Sequence, residues 1–184
     1  MSLLAANVSY YVLKEDWWGW GSGDIYDRSG TSIGHMHRKA LSLRAFTEVT
    51  HSDNSMSFSV EQKLISLRPS YMIKDPQGNV LGRTNRKLLT FFRPKLWLED
   101  KKGRKLLEAQ GNFLGKDFKI KDRQGNLVAQ VGKTDFFGDL ILGGSLFDFR
   151  DTYAVKILDE HYDKRLLLGF VLAIDNSVHD KKKR

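Results

Sequence analysis

Residues 166–174 read LLLGFVLAI, the longest unbroken apolar run in the chain. Leucine, phenylalanine and alanine favour helix. Asp163 stands just ahead as an N-cap, and Asp175, Asn176 and Ser177 follow as the stop. No polar stripe interrupts the run, so a helix here is apolar on every side and needs protein all around it. The run falls well short of the about 20 residues that cross a bilayer. Val171, Leu172 and Ile174 also suit a strand, but about nine apolar residues is long for one buried strand. The remainder of the chain has to supply a sleeve.

Outward from this segment, one phrase recurs: IYDRSGTSI with Asp27 and Gly30, IKDPQGNVL with Asp75 and Gly78, LEDKKGRKL with Asp100 and Gly103, and IKDRQGNLV with Asp122 and Gly125. An aspartate followed three residues later by glycine is hairpin-turn chemistry. The carboxylate caps the turn, and glycine accepts the left-handed conformation that returns the chain. A degenerate copy turns at Ser52 to Asn54. Counting Asp53, the turn aspartates fall 26, 22, 25 and 22 residues apart, about one hairpin each. A sixth unit, YAVKILDEHYDKRL, has Asp159 delayed by an insertion holding GDLILGGS at 138–145, and its return arm becomes the apolar run. Around Asp122, Phe118 and Ile120 face one way and Lys119 and Lys121 the other. Leu127, Ala129 and Val131 are expected to share a face on the return.

Hairpins with one apolar face can wrap a helix, and closing the sheet removes its exposed edges. The expected fold is mainly β: a closed antiparallel barrel of about ten to twelve strands enclosing a C-terminal helix near 164–176. Residues 1–177 read as one domain, with 178–184 a basic tail. An open sandwich with the helix across its mouth is the main competitor. Propeller blades are longer, about 40 residues, and solenoid repeats lack antiparallel hairpin turns.

The chain has 184 residues, no cysteine and a net charge of +8. Disulfides and thiolate metal sites are therefore excluded, and packing alone holds the fold. MSLLAANVSYY lacks the basic start and apolar length of a secretory signal, which predicts a cytoplasmic protein, peripheral at membranes. The positive balance favours acidic partners, either lipid headgroups or nucleic acid.

WGSGDIYDRSG (Trp20 to Gly30), EQKLISLRPSYMIKDPQGN (Glu61 to Asn79), KLLTFFRPKLWLEDKKG (Lys87 to Gly103) and the ending DTYAVKILDEHYDKRLLLGFVLAID (Asp151 to Asp175), in this order, resemble the LURP-one-related family. That family groups with tubby C-terminal domains and phospholipid scramblases. The resemblance covers almost the whole chain and implies a twelve-stranded barrel around a central hydrophobic helix. It also implies a non-enzymatic module that binds anionic phospholipid or phosphoinositide headgroups through surface cations; the alternative is a nucleic-acid or protein interaction module using the same surface. The proline-rich N-terminus and cysteine cluster of membrane-attached scramblases are missing. Asp159, Glu160 and Asp163 occupy the neighbourhood of the scramblase calcium segment, but their spacing matches no ligand pattern, and turn and cap roles account for them.

The candidate headgroup-binding residues are Lys95, Lys101, Lys102, Arg104 and Lys105 around one hairpin tip, extended by Arg83, Arg86 and Lys87 from the preceding hairpin. A solvated turn is the plainer reading of the same charges. Trp17, Trp18 and Trp20 are expected to plug one barrel end rather than insert at a membrane, and Phe91, Phe92, Phe136 and Phe137 to be core rather than an RNA-stacking platform. His35 and His37, two apart on a strand, form half a metal site with no third ligand nearby. No catalytic residue, cofactor motif or phosphate loop stands out, and a helix filling the barrel leaves no substrate cavity there.

Overall fold

The computed structural model describes residues 2–15, 22–39, 46–63, 70–86, 95–132 and 152–182. Their strands run in chain order as β1 (Tyr10–Glu15), β2 (Gly23–Tyr26), β3 (Ser32–Arg38), β4 (Phe46–His51), β5 (Met56–Gln62) and β6 (Tyr71–Lys74). There follow β7 (Val80–Arg86), β8 (Lys95–Glu99), β9 (Lys105–Asn112), β10 (Asp117–Asp122), β11 (Leu127–Gly132) and β12 (Thr152–Ile157). Each strand pairs antiparallel with its neighbours in sequence, and β12 pairs with β1, so the twelve strands close into a barrel. The expected closed sheet is present. The tryptophans at 17, 18 and 20, the phenylalanine pairs at 91–92 and 136–137, and the insertion at 138–145 lie outside the described residues.

Five hairpins share one backbone device. The residue heading each turn accepts the N–H three positions on and donates its own N–H to the carbonyl four positions on. Asp27, Asp75, Asp100 and Asp122 head four of them, each accepting a further backbone N–H on its carboxylate, as from Thr31, Asn79, Arg104 and Asn126. Gly30, Gly78, Gly103 and Gly125 take the left-handed position, with φ between 75° and 92°. The degenerate turn is framed differently from the sequence expectation. His51 heads it, Asn54 supplies the left-handed residue at φ 63°, and Asp53 caps it through the Ser55 N–H at 2.9 Å. Asparagine tolerates that conformation better than other side-chain-bearing residues.

Each returning strand then carries one extra residue: Ile33, Ser57, Leu81, Leu106 and Val128 have no partner of their own in the register. Such bulges add right-handed twist and bend the strand, and five around the ring curl the sheet towards closure. They also correct the face expected for β11. Ala129 and Val131 lie opposite Ile120 and Phe118 and are buried, but Leu127 lies opposite Lys121 and is only half-buried. Simple alternation fails there because the bulge at Val128 breaks the period of two.

The helix α1 (Lys164–Lys182) begins as expected, with the Asp163 carboxylate accepting the Arg165 N–H at 2.9 Å. From Leu167 to Ile174 every residue is buried, none of the named apolar side chains exceeding 4% exposure, so the sheet covers every face of the helix. Gly169 lets it approach β6 so closely that a Cβ would stand 2.8 Å from Ile73 Cγ2. The helix does not stop at 175–177. Those residue types end helices by competing for backbone groups, and here each side chain is engaged in a way the helix tolerates. Asn176 donates to Thr47 Oγ1 at 3.2 Å, Asp175 faces Lys116, and the Ser177 hydroxyl donates back to the Ile174 carbonyl at 2.7 Å.

Candidate anionic-surface interface

Strand register decides which cations share a wall. Lys101 and Lys102 stand exposed at the β8–β9 tip, next around the ring from the β10–β11 tip with exposed Arg123. Arg104 lies at the first of these tips but is turned onto Asp100, its Nε 2.6 Å from the carboxylate. Lys95, close to the tip residues in sequence, sits at the other end of β8, paired with Gln110. Lys95 and Lys105 reach the same residue from opposite ends: Glu108 accepts from Lys105 at 2.7 Å and from Lys95 at 3.2 Å. Those bonds, Lys105 foremost, hold the Glu108 carboxyl below the usual carboxylate range.

Arg83 is exposed on β7, with Glu99 opposite it on β8. Arg86 ends β7, its backbone paired with Leu96, while its side chain and all of Lys87 are outside the described residues. The eight sequence candidates therefore do not form one cluster. The structure groups Lys101, Lys102, Arg104 and Lys105 at or beside one rim, and places Lys95 lower on the same wall.

The barrel adds cations from later hairpins. One register row crosses five strands as Lys95, Gln110, Lys119, Gln130 and Lys156, on β8 to β12 in turn. It holds no carboxylate. Lysines on alternate strands are two strand spacings apart, about 10 Å, with an amide donor between them. Lys156 continues the row onto Tyr10 of β1, its Nζ 5.2 Å from the ring centroid, and Arg28 lies 5.4 Å from the same ring. Lys121 follows Lys119 on the outer face of β10, and both are exposed. The wet face of β10 was legible in its alternation; its adjacency to Lys95 and Lys156 needed the ring order.

Other charged groups are engaged elsewhere. His35 Nδ1 lies 2.6 Å from Asp24, and His37 stands opposite Glu48 in the strand register. Asp159 accepts the His161 N–H at 3.0 Å, and Asp163 holds Arg165 at 2.7 Å. Among the described residues no group of three or more His, Cys, Asp or Glu is arranged to hold a metal ion. At the end of β1, Lys116 joins Glu15 at 2.8 Å to Asp175 at 3.5 Å, with its Nζ 4.1 Å from the centroid of the buried Tyr153 ring. Burial foremost, then Asp175, pushes the Glu15 carboxyl up.

The sequence model of the LURP-one-related family matches residues 8–175. This chain belongs to that family. An X-ray structure of an Arabidopsis thaliana protein is similar to this LURP-one-related barrel, with a TM-score of 0.62 over 95% of this chain and 96% of that one. Identity is 10%, so the likeness carries the fold alone. No curated protein matches the sequence. Among the described residues, no helix of this LURP-one-related chain is long and apolar enough to cross a membrane.

Proposed function

We propose that this LURP-one-related barrel is a binding module that docks on anionic phospholipid headgroups through the outer wall of β8 to β12. It would do so from the cytoplasm, peripherally, with residues 1–177 as a single domain whose helix carries on to Lys182 into the basic end 178–184. The observation that carries the reading is the carboxylate-free row Lys95, Gln110, Lys119, Gln130 and Lys156, with Lys121, Lys101, Lys102 and Arg123 towards one rim. A flat anionic surface engages many separated cations at once, each worth about 1 kcal/mol near the membrane. The attraction decays over a Debye length of about 8 Å at physiological salt, so the contact is salt-sensitive.

Sedimentation with vesicles, run beside a DNA titration, tests this. The expected result is binding at low salt to vesicles containing phosphatidylserine or a phosphoinositide, and none to neutral vesicles. Reversing Lys119 and Lys121 to glutamate is expected to weaken binding by at least about tenfold, and reversing Lys101 and Lys102 by a similar factor. Retained DNA binding without any vesicle binding would replace lipid with nucleic acid as the partner of this wall.

A further inference from the structure

Glu108 stands on the half-exposed middle of β9 with an ammonium on each of its carboxylate oxygens. Lys105 holds Oε2 at 2.7 Å and Lys95 holds Oε1 at 3.2 Å. Lys121 lies directly opposite in the neighbouring strand, so one carboxylate has three lysine neighbours. The lysine side chains of the two bonds are 43% and 47% exposed, and that of the glutamate 22%. An arriving anion therefore meets the amines before it meets the carboxylate.

We infer that Glu108 is a built-in competitor for the basic wall, an internal counter-ion that an anionic headgroup must displace, and that it sets how much negative charge a surface needs before the barrel docks. The inference rests on the lipid-binding reading above. Exposed ion pairs are weak enough to be exchanged for other partners. A sparse surface of singly charged headgroups replaces one bond at a time and gains little by it. A phosphate monoester carries close to two charges and three acceptor oxygens, and can take both ammonium groups together. Glu108 thus raises the threshold for weakly anionic membranes more than for strongly anionic ones.

Glu108→Gln removes the charge and keeps the shape. Binding is measured on phosphatidylcholine vesicles with graded phosphatidylserine, and on a second series carrying a phosphoinositide. The variant is expected to half-saturate at a lower phosphatidylserine fraction and to bind a fixed composition on the order of tenfold tighter, with a smaller gain on the phosphoinositide series. Glu48→Gln, on β4 across the barrel, removes the same charge without releasing these lysines and is expected to change little. Adding Lys95→Gln and Lys105→Gln to the Glu108 variant should erase its gain. Equal tightening by the Glu48 and Glu108 variants, or none by the latter, overturns the inference while the lipid reading stands. If neither wild type nor the Glu108 variant binds any anionic vesicle, both fall.

Discussion

The Lys164 ammonium donates to the Val8 carbonyl across 2.7 Å, tying the first turn of the enclosed helix to the chain just ahead of β1. It also donates to the carbonyls of Ala6, at 3.0 Å, and Ala5. These three bonds use every donor a lysine has. A cation in the first turn opposes the helix dipole, so the carbonyls hold it there. Lys164→Met takes this donor from the Ala6 and Val8 carbonyls, Ala5 keeping the Val8 N–H at 3.1 Å, and is expected to cost roughly 1–3 kcal/mol, read as a lower urea midpoint at unchanged slope. An unaltered midpoint would show that this tie contributes nothing to stability.

Gly169 and Ile73 provide a test of enclosure. On helix propensity alone, alanine at 169 would stabilise by about 1 kcal/mol. Against the wall of β6 its Cβ would meet Ile73 Cγ2 at 2.8 Å, and the branched side chain has little room to yield. Gly169→Ala is therefore expected to destabilise by roughly 1–3 kcal/mol, and Ile73→Ala to cost less in that background than it does alone. A stabilised single variant in thermal unfolding would mean that the helix is not clasped at this point.

Acid should act through the turns. The Asp53 carboxyl is lowered by its bond from Ser55, Asp75 by Asn79, Asp100 by the backbone of Arg104, and Asp159 by the backbone of His161. Each folded value lies below the unfolded one, so the unfolded chain binds more protons in between. Their stabilisation is complete above about pH 4 and is lost as pH falls through the folded values. Urea midpoints are expected to drop below that pH, and Asp75→Asn with Asp100→Asn to make the drop shallower.

Glu15 should act with the opposite sign. Burial and the nearby Asp175 raise its folded value, so the folded state binds more protons between the unfolded value, near 4.3, and the raised one. Stability from this group falls as pH rises through that window. As the pH is lowered through that window, the wild-type urea midpoint is expected to gain relative to that of Glu15→Gln, which has no proton to take up. Parallel midpoints for the two chains down to the unfolded value would contradict the shift.

Turn chemistry was the most legible part of the sequence because it is local. A carboxylate and a glycine three residues apart close a hairpin wherever the hairpin sits. The same locality limited the reading at the degenerate turn, where asparagine replaced glycine and the heading residue slipped from Asp53 to His51. The bulges left no local mark. An extra residue such as Val128 is extra only relative to the partner strand, so counting along one strand cannot find it. The candidate site divided in the same way. Lys101 and Lys102 were readable as an exposed tip, whereas the quenching of Lys95 and Lys105 by one glutamate depends on how β8 and β9 align.

By itself the sequence determined the hairpin period, the wet and dry faces of β10, and the one segment too apolar to meet water on any side. Each is a consequence of near neighbours along the chain. Only the tertiary structure decided that β12 returns to β1, that the helix runs on to Lys182 once Asp175 and Asn176 find partners in a distant turn and strand, and that Lys119 and Lys156 join Lys95 in one row. Those outcomes depend on which remote residues become adjacent when the ring closes, because ion pairs and strand ladders act across space over a few ångströms.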